Sequence, residues 1–180
     1  MSMHNKEGHT LKQYRIIDPE KILEIINRLD FFKDFSPEEK KALSEHDQFV
    51  AFFKKGETII KEGDQDAIFY ILLLGKASVV KGIHQDSIGA LKPGDCFGEI
   101  SFLIRSPRTA TVIADTDTVA AIRISQEMTH ELDIKICEKI KDKLIKMLVE
   151  RLDRMNRFLI NTKHGLPESE TFSYDPTHFI

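Results

Sequence analysis

The central part of the chain alternates short apolar runs with turn sequences, and this alternation constrains the fold more than any other feature. Turns such as Glu62-Gly63-Asp64 and Lys92-Pro93-Gly94-Asp95 separate runs that are rich in Val, Ile, Phe and Tyr. These runs lie at 49–53, 57–61, 68–74, 77–81, 87–91, 111–114 and 118–124. Short strands joined by such turns predict an antiparallel sandwich or barrel over 48–124. The intervals are too short for crossover helices, which argues against a parallel sheet.

Helical patterns precede this region, and we assign residues 18–47 to N-terminal helices. Asp18-Pro19-Glu20 predicts a helix start, because Asp caps the free N–H groups and Pro fits the first turn. Ser36 and Glu39 have the spacing of a capping box, which predicts a second helix start. Three phenylalanines lie between the two helices, and we expect them to pack in the core at the corner: Phe31, Phe32 and Phe35.

The helical period returns after residue 124 and predicts a C-terminal helix over 125–162. This is either one helix or two helices with a bend near Lys135. Its apolar residues Ile145, Leu148, Leu152, Met155 and Leu159 follow at steps of three and four, as in a coiled-coil seam. This stripe packs on the β region, forms a homodimer seam or acts as a movable lid, and the residues leave these alternatives open.

The ends of the chain and its composition limit the class of protein. Residues 1–17 are polar and predict a flexible segment until Tyr14 or Ile16 docks, and 163–180 predict a flexible tail. The net charge of −3 offers no general attraction to nucleic acid or to a membrane surface. No apolar run approaches membrane-spanning length, and the N-terminus lacks a signal peptide. Cys96 and Cys137 lie far apart, so we expect packing roles in a reducing cytoplasm.

Residues 96–110 carry the most informative combination of side chains. Gly98-Glu99-Ile100-Ser101 is able to open a helical turn whose N–H groups favour an anion, and Arg108 supplies a planar fork of donors for phosphate. Glu99 would repel an anion unless the same ligand offered it a donor, such as a sugar hydroxyl. A cyclic nucleotide provides both a compact phosphate and a free ribose hydroxyl.

Two segments carry a family resemblance. Phe97-Gly98-Glu99-Ile100-Ser101, followed by Pro107-Arg108-Thr109-Ala110, resembles the phosphate-binding cassette of the cyclic-nucleotide-binding domain family. Catabolite-activator transcription factors, regulatory subunits of cyclic-AMP-dependent kinase and cyclic-nucleotide-gated channels contain this domain. The turn glycines and acids of 49–124 also resemble those of the family. The resemblance implies an α+β fold: an eight-stranded antiparallel β jelly roll flanked by N-terminal helices and a long C-terminal helix.

The resemblance also implies a role for each residue of the site. Arg108 pairs with the phosphate oxygens, Glu99 accepts a hydrogen bond from the ribose 2′-hydroxyl, and Gly98 permits the tight turn. The family pattern adds the backbone N–H groups of four residues to the phosphate cradle: Ile100, Ser101, Thr109 and Ala110. Gly89 and Leu91 lie on the strand expected near the base, and Thr109 would allow cyclic GMP as well as cyclic AMP. Resemblance to hyperpolarisation-activated channels makes Arg151 and Met155 candidates for a lid over the base, with a solvated helix face as the alternative for Arg151.

The sequence therefore predicts a receptor for cyclic AMP (cAMP), or for cyclic GMP (cGMP), and not an enzyme. Ligand binding would reposition the C-terminal helix to regulate a protein effector or a homodimer. The alternative is a ligand-independent interaction module of the same fold. A cupin-type metal site needs several histidines on the strands, and only His84 of the seven histidines lies there. About 20 residues remain after the last helix, too few for a helix-turn-helix, so we expect a stand-alone receptor or a fragment that lacks its output domain.

Overall fold

Nine strands in two antiparallel sheets form the centre of the part of the chain that the structure describes. The structure is a computed structural model, and it describes residues 13–16, 18–45, 49–84 and 86–164. The strands are β1 Gln13–Ile16, β2 Phe49–Phe53, β3 Thr58–Ile60, β4 Ile68–Leu74, β5 Ala77–Lys81, β6 Asp86–Leu91, β7 Cys96–Phe97, β8 Thr111–Ala114 and β9 Val119–Ser125. One sheet has the order β1-β2-β9-β4-β7 and the other β3-β8-β5-β6. Strands β2 to β9 confirm the predicted eight-stranded jelly roll.

The alternation of side chains along each strand builds the core. In β4, Tyr70 and Leu72 belong to a buried cluster to which both sheets contribute, whereas Phe69 and Ile71 are buried on the opposite face. Burying one such side chain contributes about 1.5–3 kcal/mol to the free energy of folding. The cluster therefore makes the roll a rigid support for the loops at its ends.

Two helices precede the roll and begin as the capping signals predict. They are α1 Pro19–Arg28 and α2 Pro37–Glu45, joined through a 3-10 turn at Asp30–Phe32. The Asp18 carboxylate accepts a hydrogen bond from the Glu20 N–H, at 3.0 Å. The Ser36 N–H donates to the Glu39 carboxylate at 2.8 Å, and the Glu39 N–H donates to the Ser36 hydroxyl at 3.2 Å. Both predicted helix starts are confirmed.

The three phenylalanines at the corner are buried, as predicted. The rings of Phe31 and Phe32 meet edge to face at 4.8 Å, and those of Phe32 and Phe35 at 5.4 Å. The Phe31 ring also lies 5.9 Å from the ring of Phe69 on β4. The corner therefore covers the outer face of the first sheet.

The end of the segment 1–17, where Tyr14 or Ile16 was expected to dock, forms a strand that the sequence pattern did not predict. Gln13–Ile16 form β1, which pairs antiparallel with β2 from Gln13 opposite Phe52 to Ile16 opposite Phe49. Backbone hydrogen bonds create this edge strand, and a polar sequence carries little signal for them. Residues 1–12 and 17 lie outside the described residues, as does the predicted tail from residue 165 onward.

The C-terminal region follows the two-helix alternative. Helix α4 spans Gln126–Glu131 and α5 spans Ile134–His164, a length of 31 residues. The Asp133 carboxylate accepts a hydrogen bond from the Lys135 N–H at 2.8 Å, which caps α5 near the predicted bend. The chain divides into two units after Lys139, so the later part of α5 belongs to the second unit. Among the described residues, no helix has the length and apolar character needed to span a membrane.

The later part of α5 exposes a stripe of apolar side chains. Ile145, Leu152, Met155 and Leu159 are 51%, 53%, 55% and 58% exposed. These are residues of the predicted coiled-coil seam. The homodimer through this helix stays a prediction.

Candidate functional site

The segment 96–110 is held at the end of the roll by strand pairing. β7 pairs with β4, with Phe97 opposite Tyr70. Their rings stack with centroids 5.3 Å apart and planes 15° from parallel. Helix α3, Glu99–Ile104, follows directly, and β8 begins at Thr111. The turns on either side of α3 are therefore anchored in the sheets.

Gly98 adopts a left-handed conformation that the site requires. Its φ is +77°, and it is the residue that precedes the first residue of α3. A Cβ atom at this position would lie 2.5 Å from a terminal nitrogen of Arg108 and 2.9 Å from Cδ1 of Ile60. The close approach and the positive φ together require glycine.

Arg108 is buried, and protein groups hold its guanidinium. The residue is 3% exposed. Nη1 donates to the Gly98 carbonyl oxygen at 2.9 Å, and Nε donates to Asp66 Oδ2 at 3.2 Å. Nη2 donates to Asp66 Oδ1 and completes a two-point ion pair. Gly98 and Arg108 were predicted to belong to one site, and in the structure a hydrogen bond links them directly.

The backbone of Arg108 is fixed to the turn between β3 and β4. Its N–H donates to the Asp64 carbonyl at 2.9 Å, and its carbonyl accepts from the Gly63 N–H at 2.9 Å. Asp66 is not among the site residues predicted from the sequence. A signal was present, because a buried arginine requires a counter-charge and the β3–β4 turn carries three acids: Glu62, Asp64 and Asp66.

Glu99 is also buried, at 5% exposure. Both charged residues of the predicted site, Glu99 and Arg108, are therefore shielded from solvent. The neighbouring side chains of Ser101 and Phe102 are buried as well, and Ile100 is half-buried. Thr109 is exposed and Ala110 half-buried between Arg108 and β8.

Gly89 and Leu91 lie on β6, at the edge of the second sheet. β5 separates this strand from β8, with Gly89 opposite Val79 and Leu91 opposite Ala77. Leu91 is buried in the core cluster, whereas Gly89 is exposed. Of the two residues expected near the base, Gly89 is thus the one at the surface.

Arg151 and Met155 lie one turn apart on α5, in the second unit. Arg151 is half-buried and Met155 is 55% exposed. Their role as a lid stays a prediction.

The arrangement around Arg108 suits an oxyanion. A guanidinium has five N–H donors, and the protein bonds to Arg108 use three of them, which leaves one on each terminal nitrogen. Two adjacent donors on a fixed plane match two oxygens of a phosphate. Among the described residues, no group of three or more His, Cys, Asp or Glu side chains is placed to hold a metal ion.

The described region is thus a β-roll domain, and its candidate site buries an arginine beside a glycine in the left-handed conformation. Residues 50–132 match the family model described as the cyclic nucleotide-binding domain. This part of the chain belongs to that family.

The relatives include kinases and kinase regulatory subunits. A cGMP-dependent protein kinase of Toxoplasma gondii is 34% identical over 119 residues, which cover 66% of this chain and 12% of the kinase. A cAMP-dependent protein kinase regulatory subunit of Colletotrichum orbiculare is 41% identical over 69 residues, covering 38% of this chain and 18% of the subunit. The matched segments are thus a small part of these relatives.

One solved structure is similar to this chain along most of its own length. The cyclic nucleotide-binding domain from Methylobacillus flagellatus superposes with a TM-score of 0.66 and 26% identity. The match covers 87% of this chain and 85% of that one.

Proposed function

We propose that this domain is a receptor for a cyclic nucleotide, cyclic AMP or cyclic GMP, which binds at residues 96–110. The observation that carries the proposal is the fixed guanidinium of Arg108, which keeps two N–H donors beside the Gly98 turn. The family match over 50–132 and the names of the kinase relatives support the same ligand class.

In this proposal different residues bind the phosphate, the ribose and the base of the ligand. Arg108 and the backbone N–H groups of Ile100, Ser101, Thr109 and Ala110 bind the cyclic phosphate. Glu99 accepts a hydrogen bond from the ribose 2′-hydroxyl, while Gly89 and Leu91 lie toward the base. The Thr109 side chain is exposed, so its hydroxyl is available to a guanine amino group as well as to the phosphate.

The output of the proposed receptor is a change in the C-terminal helix. Ligand binding orders the cassette and shifts the population of α5 positions, either as a lid that brings Arg151 and Met155 over the base or as a homodimer seam. The exposed apolar stripe of α5 supports the seam. In this proposal the effector is a protein and the receptor has no catalytic activity of its own. Cys96 and Cys137 are buried and form no disulfide, which fits a cytoplasmic location.

A second candidate is a ligand-independent interaction module. The observation that favours it is the ion pair between Arg108 and Asp66, because this pair already neutralises the buried guanidinium. In such a module the cassette would be a structural element, and the α5 stripe would be the functional surface.

Thermal unfolding with each nucleotide separates the two candidates. A receptor is stabilised by RT ln(1 + [L]/Kd), so its melting temperature rises with ligand concentration. We expect a rise with millimolar cyclic AMP or cyclic GMP and none with the linear 5′-monophosphates. Melting curves that are unchanged by both cyclic nucleotides would reject the receptor and favour the module.

A further inference from the structure

A cavity of about 340 Å³ lies between the β3–β4 loop, the turn after α3 and helix α4. Asp66, Arg105, Ser106, Glu127 and His130 contribute to its wall. Of the residues assigned to the nucleotide, none lines it. The cavity meets that site only through Asp66, whose carboxylate also holds Arg108.

Arg105 adopts a conformation that its residue type disfavours. It ends α3 with φ 53° and ψ 36°, and among the described residues it is the one non-glycine residue with positive φ. Glycine is the usual residue at such a helix end, because a side chain costs free energy there. A side chain kept at a strained position on a cavity wall suggests that the side chain itself is used.

The Arg105 side chain is oriented by α4. Its Nε donates to the side-chain oxygen of Gln126 at 2.8 Å. Gln126 is fixed in turn, because its amide donates to the Phe102 carbonyl and its backbone N–H to the Ala67 carbonyl. The four terminal N–H donors of Arg105 have no hydrogen bond to another described residue. A positioned guanidinium therefore keeps most of its donors available.

Two further polar groups of the wall make no hydrogen bond to another residue in the described part of the chain. The Ser106 hydroxyl oxygen is buried without a hydrogen bond, which is costly unless a ligand or water supplies one. The His130 side chain is exposed, and its imidazole adds a third potential donor.

The two carboxylates of the wall are already engaged. Asp66 forms the ion pair with Arg108. The backbone N–H of Glu127 itself and then the Ser125 hydroxyl hold the pKa of the Glu127 carboxyl below its ordinary value, and the charges of Arg123 and His130 lower it further. The donors that remain available in the cavity are thus those that bind an oxyanion.

We propose that this cavity is a second ligand site, which binds a small carboxylate- or phosphate-bearing molecule through Arg105, Ser106 and His130. The volume is at the lower end of the range for small-molecule pockets and exceeds the size of a bare ion. The inference does not rest on the proposed receptor function. If both sites are occupied, Asp66 places the second ligand next to the anchor of Arg108.

Nuclear magnetic resonance titration of the full chain tests the site. Inorganic phosphate and, separately, acetate are added at constant pH and ionic strength while the Arg105 and Ser106 amides and the His130 ring are observed. We expect saturable changes in the chemical shifts of these signals. The probe that produces them, phosphate or acetate, identifies the class of oxyanion. In Arg105→Gly the Kd rises at least about tenfold, since a charge-assisted bond is lost.

Arg105→Gly also removes the backbone strain, so it unfolds at no lower urea concentration than the wild type. Lys92→Gln, an exposed cation outside the cavity, is the matched control and leaves the shifts unchanged. Shifts that fail to saturate with either probe overturn the proposal. So does binding that persists at the same Kd in Arg105→Gly, because it places the anion at Arg108 instead.

Discussion

Asp66 holds the buried guanidinium of Arg108 across 42 residues of sequence. The pair orients the plane of the guanidinium and directs its two remaining donors. The Arg108 side chain is 2% exposed and that of Asp66 is 38% exposed, so one partner is desolvated and the other still reaches water. The pair is the structural centre of the proposed phosphate site.

Replacing Arg108 with lysine should weaken cyclic nucleotide binding at least about tenfold, because a lysine ammonium cannot bind Asp66, Gly98 and a phosphate in one plane. Isothermal titration calorimetry measures the change. Arg154→Lys, an exposed position on α5, is the control and should bind as the wild type does. An unchanged affinity in Arg108→Lys would remove Arg108 from the site.

Replacing Asp66 with asparagine should lower the free energy of unfolding by about 1–3 kcal/mol. The expected loss of free energy lies between the loss for exposed ion pairs and the loss for buried pairs that lose one partner, because Asp66 is half-exposed. Urea unfolding measures it, with Asp86→Asn at the exposed start of β6 as control. Equal loss in the two variants would show that Arg108 needs no counter-charge.

Gly98→Ala should destabilise the domain by about 1–3 kcal/mol more than Gly94→Ala, the usual cost of overpacking. Both glycines have positive φ, +77° and +93°, so both variants carry the strain of a left-handed alanine. A Cβ atom at Gly94 meets nothing within 4 Å, whereas at Gly98 it overlaps Arg108 and Ile60. Comparison of the urea midpoints isolates the overlap, and equal midpoints would contradict the close approach at Gly98.

The ion pair between Glu39 and Lys139 should make stability depend on pH. Nζ of Lys139 lies 2.7 Å from Glu39 Oε2, and this hydrogen bond, followed by the Ser36 N–H, lowers the pKa of Glu39 from 4.5. Because the folded pKa is the lower one, the stabilisation is present above pH 4.5 and is lost as the pH falls through the folded value.

Glu39→Gln should therefore cost about 0.5–1 kcal/mol at neutral pH and lose less stability on acidification than the wild type. Thermal melts from neutral to acidic pH measure both effects. Glu24→Gln, an exposed position on α1, makes the same charge change and serves as control. Parallel pH profiles for Glu39→Gln and the wild type would rule out the linkage.

Leu152→Asp should convert the proposed homodimer to a monomer without unfolding it, because the side chain is 53% exposed in the single chain. Sedimentation equilibrium gives the mass. Ile160→Asp is a matched control, since Ile160 is 56% exposed but does not belong to the seam. A monomeric wild type would leave the lid as the proposed role of this helix.

Local signals in the sequence were sufficient for most of the fold. The runs 68–74, 77–81 and 111–114 became β4, β5 and β8 without a change in their ends. Period-two alternation and turn glycines act between neighbouring residues, so one chain segment carries the whole signal. The capping box of Ser36 and Glu39 is local in the same way.

The features that were not predicted from the sequence share physical causes that are not local. Strand β1 exists because its backbone pairs with β2, a relation that its polar sequence does not record. Asp66 becomes a site residue only when the β3–β4 turn meets the segment after α3. The left-handed conformation of Arg105 follows from the end of α3 and contradicts the preference of its residue type.

Local signals were enough to predict the antiparallel roll and its flanking helices, because hydrophobic period, caps and turn glycines are properties of short segments. The cassette was predicted from its resemblance to a family. Tertiary structure alone decided how Arg108 is held, since burial demands a counter-charge and only the folded chain brings Asp66 to it. It likewise decided that Arg105, Ser106 and His130 share a cavity, because α3 and α4 are adjacent in space and separated in sequence.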